Sequence, residues 1–406
     1  MTDARDLETV VDDTLLAGAA GLLDAAVELR RRIHAEPELG LDLPSTQAAV
    51  LESLDGLGLE ITTGVALSSV VAVLDGDNDG PTTLLRGDMD ALPMPEDTGL
   101  EYASRTDGAM HACGHDAHVA MLAGAARLLA GRRSQLCGRV VFMFQPGEEG
   151  HAGAKVMLDE GLLDRFGECD RAFAIHVTPL LPPGMVATRG GPVMASADEF
   201  RLTVTGRGGH ASMPHDAVDP IPPACEVVLA LQSMVTRTVP AFDPAVVTVA
   251  HMSAGTTSNV IPETATLEGT VRAVSEATRA LAIAGVEQVA TSVAAAHGCS
   301  ASIDWTTKGY PVTVNSPAAA EQTLAVASAL IGEEKVLRLP TPVMGAEDWS
   351  FVLERVPGAM AFLGVAPVGV AHPAPNHSNR MLLDESAMAT GIALHAAMAL
   401  SPAVAK

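Results

Sequence analysis

Basic residues are scarce in this chain: 25 lysines and arginines stand against 49 aspartates and glutamates, a formal net charge of −24. Such a surface repels phosphate backbones and anionic lipid, which excludes nucleic acid and membrane surfaces as expected partners. The acidic excess is scattered rather than gathered into a block, so it reads as a soluble surface and not an acidic tail. Cysteine is also sparse. Five residues, an odd number spread from Cys113 to Cys299, do not build a disulfide framework. No apolar run approaches the roughly 20 residues needed to cross a bilayer. The opening MTDARDLETVVDDTLL lacks the basic-then-apolar order of a secretory signal. Together these absences lead us to expect a reduced, cytoplasmic protein, with Cys137, Cys169, Cys225 and Cys299 as small structural residues.

What the chain has is apolar bulk. Of its 406 residues 48% are hydrophobic and 18% charged, enough for large cores and, by length, two or three domains. Residues 18–33 repeat apolar positions at helical spacing and stop before Pro37. SSVVAVLDG, PTTLLRGD, GRVVFMFQPG and RAFAIHVTP read as strands, and Asp116 is placed to cap a helix through AHVAMLAGAARLLAG. This alternation predicts a doubly wound α/β domain with a mostly parallel sheet. From about residue 197 the pattern changes to strand EFRLTVTG, helix PACEVVLALQSMVTRT, strands AVVTVAHMSAG and TATLEGTVRAV, helix EATRALAIAGVEQVATSVAAAHG and strand SASIDWTT. The order β-α-β-β-α-β is that of a ferredoxin-like unit, whose open sheet edge suits pairing with a second copy. We therefore expect a discontinuous catalytic domain, residues 1–194 and 311–406, interrupted by a ferredoxin-like dimerisation or lid domain, residues 195–310.

Against a background poor in aromatic side chains, MHACGHDAH at residues 110–118 packs three histidines, a cysteine and an aspartate into nine positions. Asp88 and Asp90 follow the strand TTLLR, Glu148 and Glu149 follow VVFMF, and His176 lies near the end of AFAIHV. Each lies at the carboxyl end of a predicted strand, the edge at which open α/β sheets bind ligands. Cys113 and His115 precede a helix N-terminus, where the dipole favours a thiolate. Any one of these signals is weak, but their convergence on one edge points to a metal site. Two ions roughly 4 Å apart need a bridging ligand and about two private ligands each. Cys113 as bridge with His115, Glu149 and His176 supplies four, and the loop AHPAPNHSNR offers His372 or His377 as a fifth. In the pair after VVFMF, one carboxylate can bind metal while its neighbour holds a proton-transfer position.

The motifs RGDMDALP, MHACGHDAH, QPGEEG, GRGGHASMPH, SNVIPETATLEGTVR and MGAEDWSF, in this order, resemble those of the metal-dependent amidohydrolases related to aminoacylase and carboxypeptidase G. The nearest subgroup is similar to hippurate hydrolases, N-acyl-L-amino acid amidohydrolases and auxin-conjugate (IAA-amino acid) hydrolases, and the likeness runs from about residue 30 to the C-terminal helix. It implies a dinuclear site in which Cys113 bridges, His115 and His176 hold one ion, and Glu149 and His377 hold the other. More distant relatives carry a histidine ligand where this chain has Asp88, a duty that His115 takes over here. Glu148 corresponds to the general base, Asp90 to a residue orienting a ligand, His210 to an oxyanion stabiliser often supplied by a partner subunit, and Asn259 with Arg272 to a pair gripping a substrate carboxylate. The expectations are two divalent ions, zinc or manganese ahead of cobalt or nickel, hydrolysis of N-acyl-amino acids to a carboxylic acid and a free amino acid, and a homodimer or homotetramer formed through the inserted domain. The competing expectation is a dipeptidase or carboxypeptidase using the same ions on small peptides.

Overall fold

The computed structural model describes residues 13–166, 169–305 and 309–402; positions 1–12 of the acidic opening and the last residues of SASIDWTT lie outside the described residues. The chain divides into two units, Met1–Val193 with Val314–Thr341 and Phe351–Lys406, and Met194–Thr313 with Pro342–Ser350. In chain order the first unit contributes strands β1 (Glu60–Thr63), β2 (Val70–Asp75), β3 (Asn78–Asp88), β4 (Cys137–Gln145), β5 (Arg171–Thr178) and β6 (Val186–Thr188). The second contributes β7 (Asp198–Thr205), β8 (Gly209–His210), β9 (Ala245–Ala254), β10 (Val260–Ile261), β11 (Thr264–Ala273) and β12 (Ser300–Trp305), and the first unit resumes with β13 (Val336–Arg338) and β14 (Gly358–Gly364).

The sheet of the first unit has the order β1-β2-β4-β3-β5-β14-β6-β13. Its centre, β4-β3-β5-β14, is parallel. β2 and β6 run antiparallel to the central strands they meet. β2 reads VVAVL and is buried at all five of those positions, the pattern of a strand covered on both faces. The mixed α/β fold expected from the alternation is thus present. Helices α1 (Leu23–Ala35), α2 (His115–Ala130) and, near the C-terminus, Met388–Leu400 pack around this core. α2 and Met388–Leu400 are buried along most of their length and approach closely where side chains are smallest. A Cβ on Gly391 would lie 2.1 Å from Met121 Sδ, and one on Gly124 2.7 Å from Ile392 Cδ1. The helix expected over 18–33 is broken at Gly21 and Leu22 into Asp13–Ala20 and α1, glycine being a poor helix former.

Asp116 does not cap α2. The helix begins one residue earlier, behind Gly114, and the Asp116 carboxylate turns inward to α1. There it pairs with Arg30 Nε (3.0 Å) and His34 Nδ1 (2.8 Å). Arg30 Nη1 reaches Glu385 at 2.6 Å, and His34 Nε2 lies 3.3 Å from Glu96. Burial alone would lower the His34 pKa, but the Asp116 charge and the hydrogen bonds to Asp116 and Glu96 outweigh it and raise the pKa to about 9. A group whose pKa rises on folding contributes stability that is complete below its unfolded value of 6.5 and fades as pH climbs through about 9. The unfolding free energy of wild type should therefore exceed that of His34→Gln by on the order of 2–3 kcal/mol near pH 6, with the gap closing by about pH 10 in denaturant titrations. A gap independent of pH would mean that His34 acts by packing alone.

In the second unit the sheet has the order β9-β11-β7-β12 and is antiparallel throughout. Helices Ile221–Thr238 and Glu276–Ala296 share one core with it. Burial alternates along β7, with Phe200, Leu202 and Val204 inward and Glu199 and Arg201 outward, as a sheet covered on one face requires. The connectivity is strand, helix, strand, strand, helix, strand, consistent with the ferredoxin-like pattern. Two of the cysteines assigned to structural roles depart from expectation: Cys137 and Cys225 are exposed, because one opens an edge of β4 and the other lies on the solvent side of its helix, whereas Cys299 is buried. No helix among the described residues is long and apolar enough to cross a membrane.

Candidate metal centre

Three neighbouring parallel strands deliver the acidic and imidazole groups to one edge. β3 ends at Asp88 with Asp90 two residues on, β4 ends at Gln145 just before Glu148 and Glu149, and His176 lies within the last turn of chain in β5. The turn after β4 is held by Asp90. Its Oδ1 accepts the backbone N–H of Glu148 (3.0 Å) and its Oδ2 that of Glu149 (2.9 Å). Asp90 thus grips the main chain of the glutamate pair. The Asp90 carbonyl oxygen also accepts from His115 Nδ1 at 2.9 Å.

Cys113 and His115 enter by way of Gly114, whose φ of +85° lies in the left-handed region. A Cβ there would also stand 2.4 Å from Val177 Cγ2, so the position takes glycine on both counts. With its Nδ1–H committed to Asp90, His115 turns Nε2 inward, where that buried nitrogen has no hydrogen-bond partner. His176 does the same: Nδ1 donates to the Val177 carbonyl (2.8 Å) and Nε2 faces Cys113 Sγ at 3.4 Å. Burial, then His118, pushes the His176 pKa down to about 3, leaving a neutral ring. From the other side of the chain, His377 Nε2 lies 3.3 Å from Glu149 Oε1. Ligand-type atoms of Cys113, Glu149 and His377 fall within 4.8 Å of one another, as do those of Cys113, His115 and His176, and of His115, Glu148 and Glu149. His372, the other histidine of that loop, is exposed and joins none of these groups.

The electrostatics match this crowding. Burial raises the Cys113 thiol pKa, with Glu149 adding to it against the lowering pull of His115, so position before a helix does not by itself yield the expected thiolate. His115 is lowered by burial but held well above the ordinary imidazole range by Asp88 and Cys113. His377 is raised to about 10 by its contacts with Cys113 and Glu149. Asp88 and His118 serve as support. His118 places Nδ1 on Asp88 Oδ1 and accepts the Val177 N–H at Nε2 (2.8 Å), so both ring nitrogens are occupied. Asp88 is also paired with Arg86 (2.8 Å) and stands 3.3 Å from His115 Nε2. His118, four residues from Gly114 on the buried face of α2, was assigned no role from the sequence; its spacing of three from His115 is the signal that puts both rings on one helix face.

The remaining candidates lie in the second unit. His210 is exposed on β8, with Nδ1 accepting from Ser212 N (3.1 Å). β8 pairs with β10, and the Ala211 N–H donates to the Asn259 carbonyl (3.1 Å), so His210 and Asn259 are neighbours. Arg272 is opposite Val246 near the far end of β11. At about 3.4 Å per residue that strand carries it roughly 25 Å from Thr264, the end nearer Asn259. One chain therefore does not bring Asn259 and Arg272 together.

Known proteins resemble this chain over most of its length. The chain is 39% identical to the IAA-amino acid hydrolase ILR1-like 2 of Arabidopsis thaliana over 93% of its own length and 85% of that protein. It is 36% identical to thermostable carboxypeptidase 2 of Saccharolobus solfataricus over 93% and 95%. Among solved structures it superposes on a dinuclear metal-binding peptidase of the M20 family from Bacillus subtilis with a TM-score of 0.80 and 32% identity, covering 94% of this chain and 98% of that one. Residues 84–401 match the model of Peptidase family M20/M25/M40, and the chain belongs to that family, as a hydrolase of amide bonds.

Proposed function

We propose that this enzyme cleaves the amide bond of N-acyl-amino acids, releasing a carboxylic acid and a free amino acid, with two divalent cations at the sheet edge. The observation that carries this reading is the meeting of Cys113, Glu149 and His377 beside two imidazoles whose Nε2 atoms turn into the same space. The donor set fits a pair of cations. Glu149 Oε1 and His115 Nε2 are buried without hydrogen-bond partners, and the raised pKa values of His115 and His377 mark a place that attracts positive charge. Cys113 would be shared, His115 and His176 would hold one ion, and Glu149 and His377 the other. Thiolate with imidazole suits zinc, and the carboxylate leaves manganese, cobalt or nickel open. The likeness to the dinuclear peptidase of Bacillus subtilis supports the count of two.

When bound, the cations would lower the pKa of a water and polarise the scissile carbonyl. Glu148 is buried, its backbone fixed by Asp90. It takes the proton of the attacking water and returns it to the departing amine. His210 donates to the developing oxyanion, and Asn259 with Arg272 binds the substrate carboxylate. Because His210 and Asn259 sit at the opposite end of the strand ribbon from Arg272, this assignment is best met by two chains, Arg272 from one and the His210–Asn259 pair from its partner. That favours a homodimer through residues 195–310, a domain inserted between 1–194 and 311–406. The few, odd-numbered cysteines favour a reduced, cytoplasmic setting.

The competing substrate is a small peptide with a free carboxylate, as the likeness to a carboxypeptidase suggests. Turnover of benzoyl-, acetyl- and indolylacetyl-amino acids beside unblocked dipeptides, after metal depletion and add-back, separates the two. We expect kcat/KM on the best acylated substrate to exceed that on any dipeptide by about tenfold or more, the discrimination that one pocket contact supplies. Faster dipeptide cleavage would assign the enzyme to peptides.

A further inference from the structure

The last candidate ligand stands apart from the others. Cys113, His115 and His176 sit at the ends of buried elements, whereas His377 lies in an irregular loop with its side chain more than half exposed. Its backbone has φ +66°, a left-handed conformation that few side chains other than glycine adopt. Its own N–H donates to the Ala112 carbonyl at 2.8 Å. Something must hold this segment in place against that strain, and the residue before it is built to do so. Asn376 Nδ2 donates to the Cys113 carbonyl (3.0 Å) and to the Val177 carbonyl (3.2 Å). A carboxamide nitrogen carries two hydrogens, one for each. The same Nδ2 stands 4.0 Å from Cys113 Sγ. The Val177 carbonyl is also the acceptor that fixes the His176 ring.

The geometry points to Asn376 as a positioning residue for the metal centre, a clip that ties the His377 loop to the Cys113 and His176 segments through one side chain. This rests on the dinuclear reading above and goes beyond it by naming what sets the spacing of the ligands. The two contacts reach across 263 and 199 residues of sequence, so neither can be supplied by the loop itself. The rest of the loop is joined mainly at its outer end, where Arg380 meets Asp97 (2.6 Å) and the Asp97 N–H donates to the Asn379 carbonyl (2.8 Å). Those bonds locate the loop but do not aim His377.

The test uses the metal-depleted full chain, titrated with cobalt(II) by calorimetry and by the thiolate-to-cobalt absorption band. Wild type should take up two equivalents. Asn376→Ala and the isosteric Asn376→Asp, which lacks the donors, should retain one tight equivalent and weaken the other about 10–100-fold, with the absorption band altered. The Tm of the metal-free variants should stay within a few degrees of wild type, while the rise in Tm on cobalt addition shrinks. Two equivalents bound by the variants as tightly as by wild type would overturn the proposal. So would metal-free variants that are destabilised as strongly as loaded ones, or failure of both variants to fold, since either assigns Asn376 to the fold. Fewer than two equivalents in wild type itself would instead overturn the dinuclear reading, and the proposal with it.

Discussion

Glu148→Gln should lower kcat about 10³-fold while bound metal and Tm stay at wild-type levels. Glutamine keeps the shape of the side chain and the backbone N–H that Asp90 accepts, so the turn after β4 is preserved. What it loses is the capacity to take a proton, a contribution of about 10²–10⁴ in positioned general-base catalysis. Neighbouring Glu149 does not substitute, because its carboxylate faces His377 at 3.3 Å. Metal analysis, thermal unfolding and turnover measured on one preparation check this. Loss of metal together with activity would move Glu148 from proton transfer to ligation, and undiminished turnover would remove it from the mechanism.

Cys113→Ala should have an effect of similar size by a different route. Two of the five groups of ligand-type side chains among the described residues depend on the Cys113 sulfur, so the variant should bind at most one ion and lose about 10³-fold in turnover, the several kcal/mol that a bound cation contributes. The pH dependence of binding carries the diagnosis. Burial, with Glu149, holds the wild-type thiol above its ordinary pKa, so cation binding must expel a proton. Wild-type affinity should therefore rise with pH, by about tenfold per unit for each proton released, up to the raised thiol pKa. In Cys113→Ala that share of the slope disappears. A variant that keeps two ions and an unchanged slope would place the bridge elsewhere.

Much of this could be read from residues alone, for physical reasons that differ by element. VVAVL and AFAIHV announce themselves because strands covered on both faces must be apolar throughout, and the chemistry at their carboxyl ends then shares an edge by topology. Asp90, Glu148, Glu149 and His176 were legible in that way. The choice between His372 and His377 was not, since an irregular loop has no period, and it is a left-handed backbone and an asparagine clip that aim one of them. Asp116 misled because its local setting, at the start of a helix, suits a cap, while its partners Arg30 and His34 come from a helix more than eighty positions earlier. Local preference yields to a buried ion pair of that strength. The support given to Asp88 was only half legible: the spacing of His118 from His115 puts both rings on one helix face, but nothing local announces that Arg86 and His118 both meet Asp88. Nor did the motif MGAEDWSF declare that Pro342–Ser350 packs with the second unit although the chain around it belongs to the first.

The position of β14 has a consequence for how the polypeptide is made. It lies between β5 and β6, bonded to both, yet it is residues 358–364 of the chain. A nascent chain that has emerged as far as β6 therefore carries an open slot at the middle of its largest sheet, with the hydrogen-bonding edge of β5 unpaired. The second unit, mostly one continuous stretch, can complete its sheet during that wait, whereas the first must hold its slot until residues 358–364 have been made. Translation thus leaves a long interval in which an unsatisfied β-edge is presented to the cell, and stalling within it would favour aggregation over assembly.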